Sequence, residues 1–376
     1  MLKAADGFSV SSREIAPPRF AWVMLRWVAL RRVLGWFLVG IAPVWAVLFL
    51  AKANHKKALG FDLVAITLRA SNAFVHGQSL YLRPEQWHHV NEAHFAYVYP
   101  PLYAEVLAPL LALPVHAVIL AAAIVCLACV FLSLRILGVR DPRVFAAALV
   151  SWPVVFGTQV ENASMVVLLL LAVAWKRGAL PVAGAIAIKL FAWPLIAWLW
   201  FTRGARSAIV CAAATAALLL AGWAAVGFEG MTAYPGTLES NSDAVAGTTY
   251  GFSTAFAHGQ IIAVALTVLA LLASRRRAQV GDDVGCFAYA IGAGLAFSPI
   301  TWAHYLVLLL IPLALRRPTF SPVWLLAPAT WLIGPGFPTG LDAKIPVWLV
   351  VGALVVWLGQ DYTVLRLSRA IADPAS

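Results

Sequence analysis

The chain has 376 residues, of which 62% are hydrophobic and only 11% are charged. Soluble domains carry roughly 25% charged residues, so this composition excludes an ordinary soluble domain and indicates a polytopic helical membrane protein. The net charge of +11 does not indicate nucleic acid as a partner here, because the basic residues cluster in short turns between apolar segments, as they do beside membrane lipids.

The first predicted element is a cytoplasmic N-terminus at residues 1–32, which ends in an interfacial helix. Trp22, Arg26 and Trp27 lie in this helix, in a mixture of apolar and basic residues typical of a membrane surface. The first membrane span is predicted at residues 33–51. Because basic residues accumulate just before this span, the positive-inside rule places the N-terminus in the cytoplasm and the next loop outside.

Residues 61–103 form the longest polar interruption of the chain, and we predict an outer loop at residues 52–114 that contains an amphipathic helix. Asp62 begins the polar stretch, and Tyr99-Pro100-Pro101 closes it. The segment 101–114 is apolar, but it is short and interrupted by prolines. We therefore expect a re-entrant or interfacial helix there instead of a complete crossing.

Beyond this loop, apolar segments alternate with short basic turns. Together with the first span they predict an all-α polytopic membrane protein with about 12 transmembrane helices. Several of these helices are short or broken, which a membrane protein tolerates where helix ends line a cavity. We divide the chain into a membrane-embedded catalytic module at residues 33–315 and C-terminal membrane helices with a cytoplasmic tail at residues 316–376.

Polar residues that no basic turn explains collect on the predicted outer face. They are Asp62, a turn that holds Gln159 and Asn162, the isolated Lys189, and His304. A lysine between two apolar half-helices is costly unless it meets an anion or opens onto water. One acid, one base and several hydrogen-bond donors in one place favour an active site at the outer leaflet.

These residues also have structural interpretations that the sequence leaves open. Asp62 would suit the N-cap of the helix that follows it. Lys189 could extend its amine to the membrane surface, and His304 could be a buried interface histidine.

The sequence offers little support for a metal or a cofactor. His88, His89 and His94 are metal-binding residue types, but they have no fixed acidic partner. There is no phosphate-binding glycine loop, dinucleotide fingerprint or nucleophile elbow. We therefore predict neither a metal nor a cofactor. The competing functional class is a transporter or flippase of lipid-linked sugars, although such proteins usually place their charges near the midplane within paired repeats, and no internal repeat is evident.

Five short motifs occur in order within the predicted catalytic module. They are Asp62 with Gly77-Gln78-Ser79-Leu80-Tyr81, Phe95-Ala96-Tyr97-Val98-Tyr99-Pro100-Pro101-Leu102, Gly157-Thr158-Gln159-Val160-Glu161-Asn162, Lys189-Leu190-Phe191-Ala192-Trp193-Pro194 and Ser298-Pro299-Ile300-Thr301-Trp302-Ala303-His304. In this order they resemble the motifs of the C-type glycosyltransferases that use polyprenyl-phosphate sugars, and most closely those of glycosyltransferase family 87. The second and third motifs carry extra residues, and Tyr305 stands where a second histidine is frequent.

The resemblance implies the C-type glycosyltransferase fold and transfer of a hexose, most often mannose, from a polyprenyl-phosphate sugar to a lipid or glycan acceptor. Arabinose and glucose remain open as donor sugars. The reaction is expected on the extracytoplasmic side of the cell membrane, with inversion, because one carboxylate without a second nucleophile suits a single displacement. The expected site residues are Asp62 as general base, Lys189, His304 and Arg69 for the donor phosphate, and Tyr99, Gln159, Asn162 and Trp302 for the substrates.

Overall fold

A computed structural model describes residues 19–56, 58–81, 96–332 and 340–372 of the chain. All regular secondary structure in these residues is helical, which confirms the predicted all-α class. The three histidines considered above as metal-binding residue types, His88, His89 and His94, lie outside the described residues. Phe95 of the second motif also lies outside them.

The described residues contain α-helices in both halves of the chain. The first half contains α1 (Arg19–His55), α2 (Arg69–Val75), α3 (Pro101–Leu107), α4 (Val115–Ile136), α5 (Pro142–Leu149), α6 (Trp152–Val160), α7 (Ser164–Arg177) and α8 (Ala179–Ile188). The second half contains α9 (Leu195–Arg203), α10 (Ala205–Ala225), α11 (Tyr234–Ala244), α12 (Gly259–Gln279), α13 (Asp283–Phe297), α14 (Leu310–Arg316), α15 (Leu326–Ala329) and α16 (Leu341–Ala372). A π-helix, Asp62–Leu68, leads directly into α2, and 3-10 turns lie at Ala108–Ala112, Leu190–Ala192, Ala246–Thr248, Ala303–Leu309, Pro322–Leu325 and Thr330–Leu332.

Within the described residues, 4 helices are long and apolar enough to cross a membrane, and the bent pair α5 and α6 would make 5. The 4 helices are Arg32–His55, Val115–Ile136, Ala205–Ala225 and Leu341–Gln360. Further apolar helices are shorter than the ~20 residues that a complete span needs, among them Ala179–Ile188 and Asp283–Phe297. These findings confirm the membrane class, whereas the count of about 12 crossings stays a prediction.

Helix α1 is continuous over 37 residues and covers both the predicted interfacial helix and the predicted first span. Its sequence is apolar and contains one proline, Pro43. Large apolar side chains such as Val33, Phe37 and Leu48 are exposed on its surface. A helix with this much exposed apolar surface suits contact with acyl chains, which agrees with its assignment as a membrane span.

The middle of the chain is built from broken helices. α5 and α6 are bent by 60° relative to each other, at a point where Ser151 is extended and Pro153 follows in the first turn of α6. α6 ends at Glu161, which adopts the left-handed conformation with a φ of 57°. α8 ends at Lys189, whose backbone is extended. Each break leaves backbone polar groups without their helical partners, so other parts of the protein or water must satisfy them.

Two apolar clusters surround these breaks. The larger cluster includes the fully buried Trp198 and Trp324. The smaller cluster is rich in aromatic residues and contains Tyr81, Tyr97, Tyr99, Trp223 and Tyr234. Ile188 and Leu190 pack against both clusters. Lys189, which lies between these two residues in the chain, is therefore held at the junction of the clusters.

The distribution of basic turns predicts that the loop before α11 faces the outside and that the end of α12 faces the cytoplasm. Thr232 and Gln279 are exposed at these two places, and all four native cysteines are buried. We expect an impermeant thiol reagent to label Thr232→Cys, but not Gln279→Cys, in intact cells. Permeabilised cells serve as the control, because both cysteines should then react. Labelling of Gln279→Cys alone in intact cells would reverse the predicted orientation.

Candidate active site

Four of the predicted site residues come together where the helix breaks meet. Asp62 begins the π-helix, Tyr99 precedes α3, Asn162 lies between α6 and α7, and Lys189 follows α8. Asn162 is 100 positions away from Asp62 in the chain, yet its side chain donates a hydrogen bond to the Asp62 carboxylate. The cluster is therefore a product of tertiary packing.

The turn directly before Asp62 is attached to the end of α6. Gly60 has a φ of 77°, and its N–H donates to the carbonyl oxygen of Gln159 at 2.8 Å. Gln159 thus supports the site through its main chain. In the described structure the π-helix has no side-chain cap hydrogen bond at its start, and Oδ2 of Asp62 accepts from Nδ2 of Asn162 instead. The carboxylate is directed into the cluster, which does not support the N-cap interpretation.

Asn162 is held in one orientation by its neighbours. The backbone N–H of Ser164 donates to Oδ1 of Asn162 at 2.9 Å, and Oγ of Ser164 donates to the same oxygen at 2.8 Å. Because a backbone N–H can only donate, these bonds identify Oδ1 and direct Nδ2 to the opposite side. There Nδ2 donates to Asp62 and to Oη of Tyr99, the latter at 3.0 Å.

Lys189 is buried, with only 3% of its surface exposed. Its Nζ donates to Oγ of Ser164 at 3.0 Å and lies 3.7 Å from the ring centroid of Tyr305. The ring centroid of Tyr99 is 5.3 Å from the same nitrogen. This inward position excludes extension of the amine to the membrane surface. The aromatic faces and the hydrogen bond offset part of the cost of burying the ammonium group.

A cavity of about 90 Å³ opens beside Lys189. Tyr99, Tyr234 and Tyr305 line it together with Lys189, and the main chain around Pro299 closes one side. The cavity thus combines one cation with phenol hydroxyls and aromatic faces. Such a lining suits a ligand with an anionic group and a polar ring.

Burial raises the pKa of Asp62 to about 6, although the hydrogen bond from Asn162 and the positive charge of Lys189 both act to lower it. At pH 7 most Asp62 side chains therefore carry a negative charge, with a pKa close to the ambient pH. A carboxylate of this kind combines the correct protonation state with useful basicity.

Glu161 is a second buried acid near Asp62. It is 4% exposed, and neither carboxylate oxygen has a hydrogen-bond partner among the described residues. A side chain at Gly60 would meet its Oε2 at 3.0 Å. Burial raises the pKa of Glu161 to about 8. Burial thus disfavours the charged form of Glu161 more than that of Asp62, which favours Asp62 as the base.

The structure places the other predicted residues around this cluster. His304 is buried, its ring lies 5.0 Å from that of Tyr305, and neither ring nitrogen has a hydrogen-bond partner among the described residues. Trp302 is half-buried and packs near Ile300. Arg69 is exposed at the start of α2, so it does not belong to the buried part of the cluster.

Two members of the cluster were not predicted as site residues. Ser164 connects Lys189 to Asn162, but in the sequence it is an ordinary serine at the start of an apolar segment. Tyr305 provides the aromatic face closest to the ammonium group. Its position directly after His304 could have indicated Tyr305 as a site residue, because a second histidine is frequent there in the family that the motifs resemble.

The family model of glycosyltransferase family 87 matches residues 97–299, which is more than half of the chain. The match includes Tyr99, Asn162 and Lys189, whereas Asp62 lies well before its first residue and His304 lies just after its last. No curated protein and no solved structure matches the chain. The family match supports a membrane glycosyltransferase over a transporter or flippase.

Proposed function

The chain belongs to glycosyltransferase family 87, and from this premise we propose that it transfers a hexose from a polyprenyl phosphate to a lipid or glycan acceptor. Mannose is the first candidate for the sugar, and we place the reaction at the extracytoplasmic face of the cell membrane. The observation that carries the proposal is the buried connection of Asp62 to Lys189 through Asn162 and Ser164, beside a cavity.

Lys189 is the proposed binding group for the donor phosphate. A polyprenyl-phosphate sugar carries its phosphate at the membrane surface while its chain stays among the lipids. An ammonium group held in a largely apolar cavity stabilises the negative charge that grows on the phosphate as the sugar leaves. His304 lies near Tyr305 and has two unpartnered ring nitrogens among the described residues, so it is the second candidate for this role.

Asp62 is the proposed general base. The acceptor hydroxyl oxygen forms a bond to the anomeric carbon while the bond from this carbon to the phosphate oxygen breaks. The hydroxyl proton passes to the Asp62 carboxylate, and polyprenyl phosphate leaves with the electron pair of the broken bond. A single displacement inverts the anomeric carbon, so a β-linked donor gives an α-linked product. Tyr99 and Trp302 offer aromatic faces for the sugar rings.

Asp62→Asn provides the direct test of the proposed base. Asparagine keeps the shape and an oxygen that Asn162 can donate to, but it cannot take the acceptor proton. We expect the rate of transfer to fall by about 10²–10⁴-fold, the usual contribution of a general base. The measurement follows labelled sugar from polyprenyl-phosphate mannose into lipid products of membranes that contain the enzyme. Asp243→Asn, at an exposed position on α11, is the matched control. Transfer near the wild-type rate in Asp62→Asn would refute the assignment.

The pH dependence of transfer tests the same group without replacing it. Asp62 works as a base only when deprotonated, so kcat/KM should rise with pH and reach its half-maximal value near pH 6. Asn162→Ala removes a hydrogen bond that lowers the pKa of Asp62, so the midpoint should move to higher pH. Asn72→Ala, at an exposed position on α2, should leave it in place. A downward shift in Asn162→Ala would contradict the assigned cause.

Lys189→Gln tests the proposed phosphate site. Loss of the charge should lower kcat/KM for the polyprenyl-phosphate donor. The expected loss of transition-state stabilisation is about 1.5–3 kcal/mol, the scale of a charge-assisted hydrogen bond. Lys189→Arg should recover only part of this, because a planar guanidinium does not reproduce the ammonium geometry. Lys344→Gln is the matched control, since Lys344 is also buried but donates to a backbone carbonyl, that of Ala246. Unchanged donor kinetics in Lys189→Gln would assign this lysine to folding alone.

A further inference from the structure

The hydrogen bonds between Lys189 and Asp62 all point in the same direction. A lysine ammonium group has protons to donate and no acceptor site, so Nζ of Lys189 donates to Oγ of Ser164 at 3.0 Å. The Ser164 hydroxyl has a single proton, which it donates to Oδ1 of Asn162 at 2.8 Å. The Ser164 hydroxyl therefore accepts a hydrogen bond from Lys189 and donates one to Asn162, so both bonds have their donor on the Lys189 side.

Asn162 in turn donates a hydrogen bond to the Asp62 carboxylate, with its donor on the same side as in the two preceding bonds. Its Oδ1 accepts from both the N–H and the hydroxyl of Ser164, so its two amide protons face Asp62 and Tyr99. A cation at one end and a carboxylate at the other polarise the intervening bonds in the same sense, and each bond strengthens its neighbours.

Three of the four residues in the connection are shielded from solvent, and Asp62 is half-buried. Asn162 is 2% exposed, Ser164 0% and Lys189 3%. Water therefore has little access to replace a missing hydrogen bond, and salt screens the charges weakly.

We infer that Ser164 is a positioning residue that makes the basicity of Asp62 depend on what Lys189 binds, an inference that rests on the proposed function. When a donor phosphate contacts Lys189, it offsets the positive charge and draws protons of the ammonium group away from Ser164. Asn162 then donates less strongly, and the Asp62 carboxylate holds a proton more firmly. The base is thus strengthened when the donor is in place.

Other charged or titratable groups face Asp62 from the elements packed around it. Glu161 approaches from the end of α6, behind Gly60. His304 lies near Lys189 at the start of the turn that precedes α14. The phenols that face Asp62 are Tyr99, Tyr103 and Tyr305. All of these groups remain in place in Ser164 variants, so a change in such variants reports on the hydrogen-bonded connection.

The test compares two pH profiles of the full-length enzyme with polyprenyl-phosphate mannose as donor. The profile of kcat/KM reports the base in the free enzyme, and the profile of kcat reports it in the complex. In the wild type we expect the midpoint for kcat to lie at higher pH than the midpoint for kcat/KM. In Ser164→Ala, the rate of transfer should fall by about tenfold, the scale of one hydrogen bond to a charged group. The midpoints for kcat and kcat/KM should converge to the same pH.

Matched variants separate this role from a structural one. Ser133→Ala removes another buried serine hydroxyl, which donates to the carbonyl of Cys129 at 2.6 Å, and it should keep the wild-type separation of midpoints. Ser164→Thr restores a hydroxyl and should restore the separation. If Ser164→Ala does not fold, Ser164→Cys replaces it, because a thiol keeps the volume but is a weak donor and acceptor.

The outcomes are distinguishable. A wild-type separation of midpoints in folded Ser164→Ala overturns the inference about Ser164. If Asp62→Asn is inactive in the same membranes, the proposed base is supported independently of that result. Near-normal transfer by Asp62→Asn overturns both proposals together.

Discussion

The buried ammonium group of Lys189 is the constraint on which the site depends. A lysine that is 3% exposed in a membrane protein is strongly destabilising unless other groups share its charge. Ser164 accepts a hydrogen bond from it, Tyr305 presents an aromatic face, and Asp62 supplies the opposite charge through Asn162. Lys189 also lines a cavity, where a phosphate would complete the compensation.

Broken helices are the means by which the chain builds this site. A continuous helix keeps its backbone groups for itself and presents its side chains to the surrounding lipid or to neighbouring helices. The end of α6 before Glu161 and the end of α8 before Lys189 interrupt this regularity. The π-helix at Asp62–Leu68 has the wider turn that often occurs at functional sites. Each irregularity is stabilised by a partner from a distant part of the chain.

Aromatic residues form the walls around the charged groups. Tyr99 packs edge to face with Tyr97 and Tyr103, and its hydroxyl accepts from Asn162. The ring of Phe191 stacks on Tyr305 at 4.8 Å between centroids. Aromatic side chains have few rotatable bonds, so they lose little conformational entropy when they are fixed as the walls of a cavity. They also exclude water from the hydrogen bonds behind them. This enclosure is why a single serine can influence a carboxylate beyond its own neighbour.

The sequence by itself determined the all-α membrane class and the family, because apolar runs and an ordered set of short motifs are local features that can be recognised without the tertiary structure. It also indicated Asp62, Asn162 and Lys189, since isolated polar residues between apolar segments need a reason to be there. Only the tertiary structure decided that Gln159 acts through its carbonyl, that Arg69 stays outside the buried cluster, and that Ser164 and Tyr305 belong to it. The physical reason is that hydropathy reports where a residue is buried, whereas a hydrogen-bond partner is selected by distance and direction. Asp62 and Asn162 meet across 100 positions of chain, and no local pattern encodes that contact.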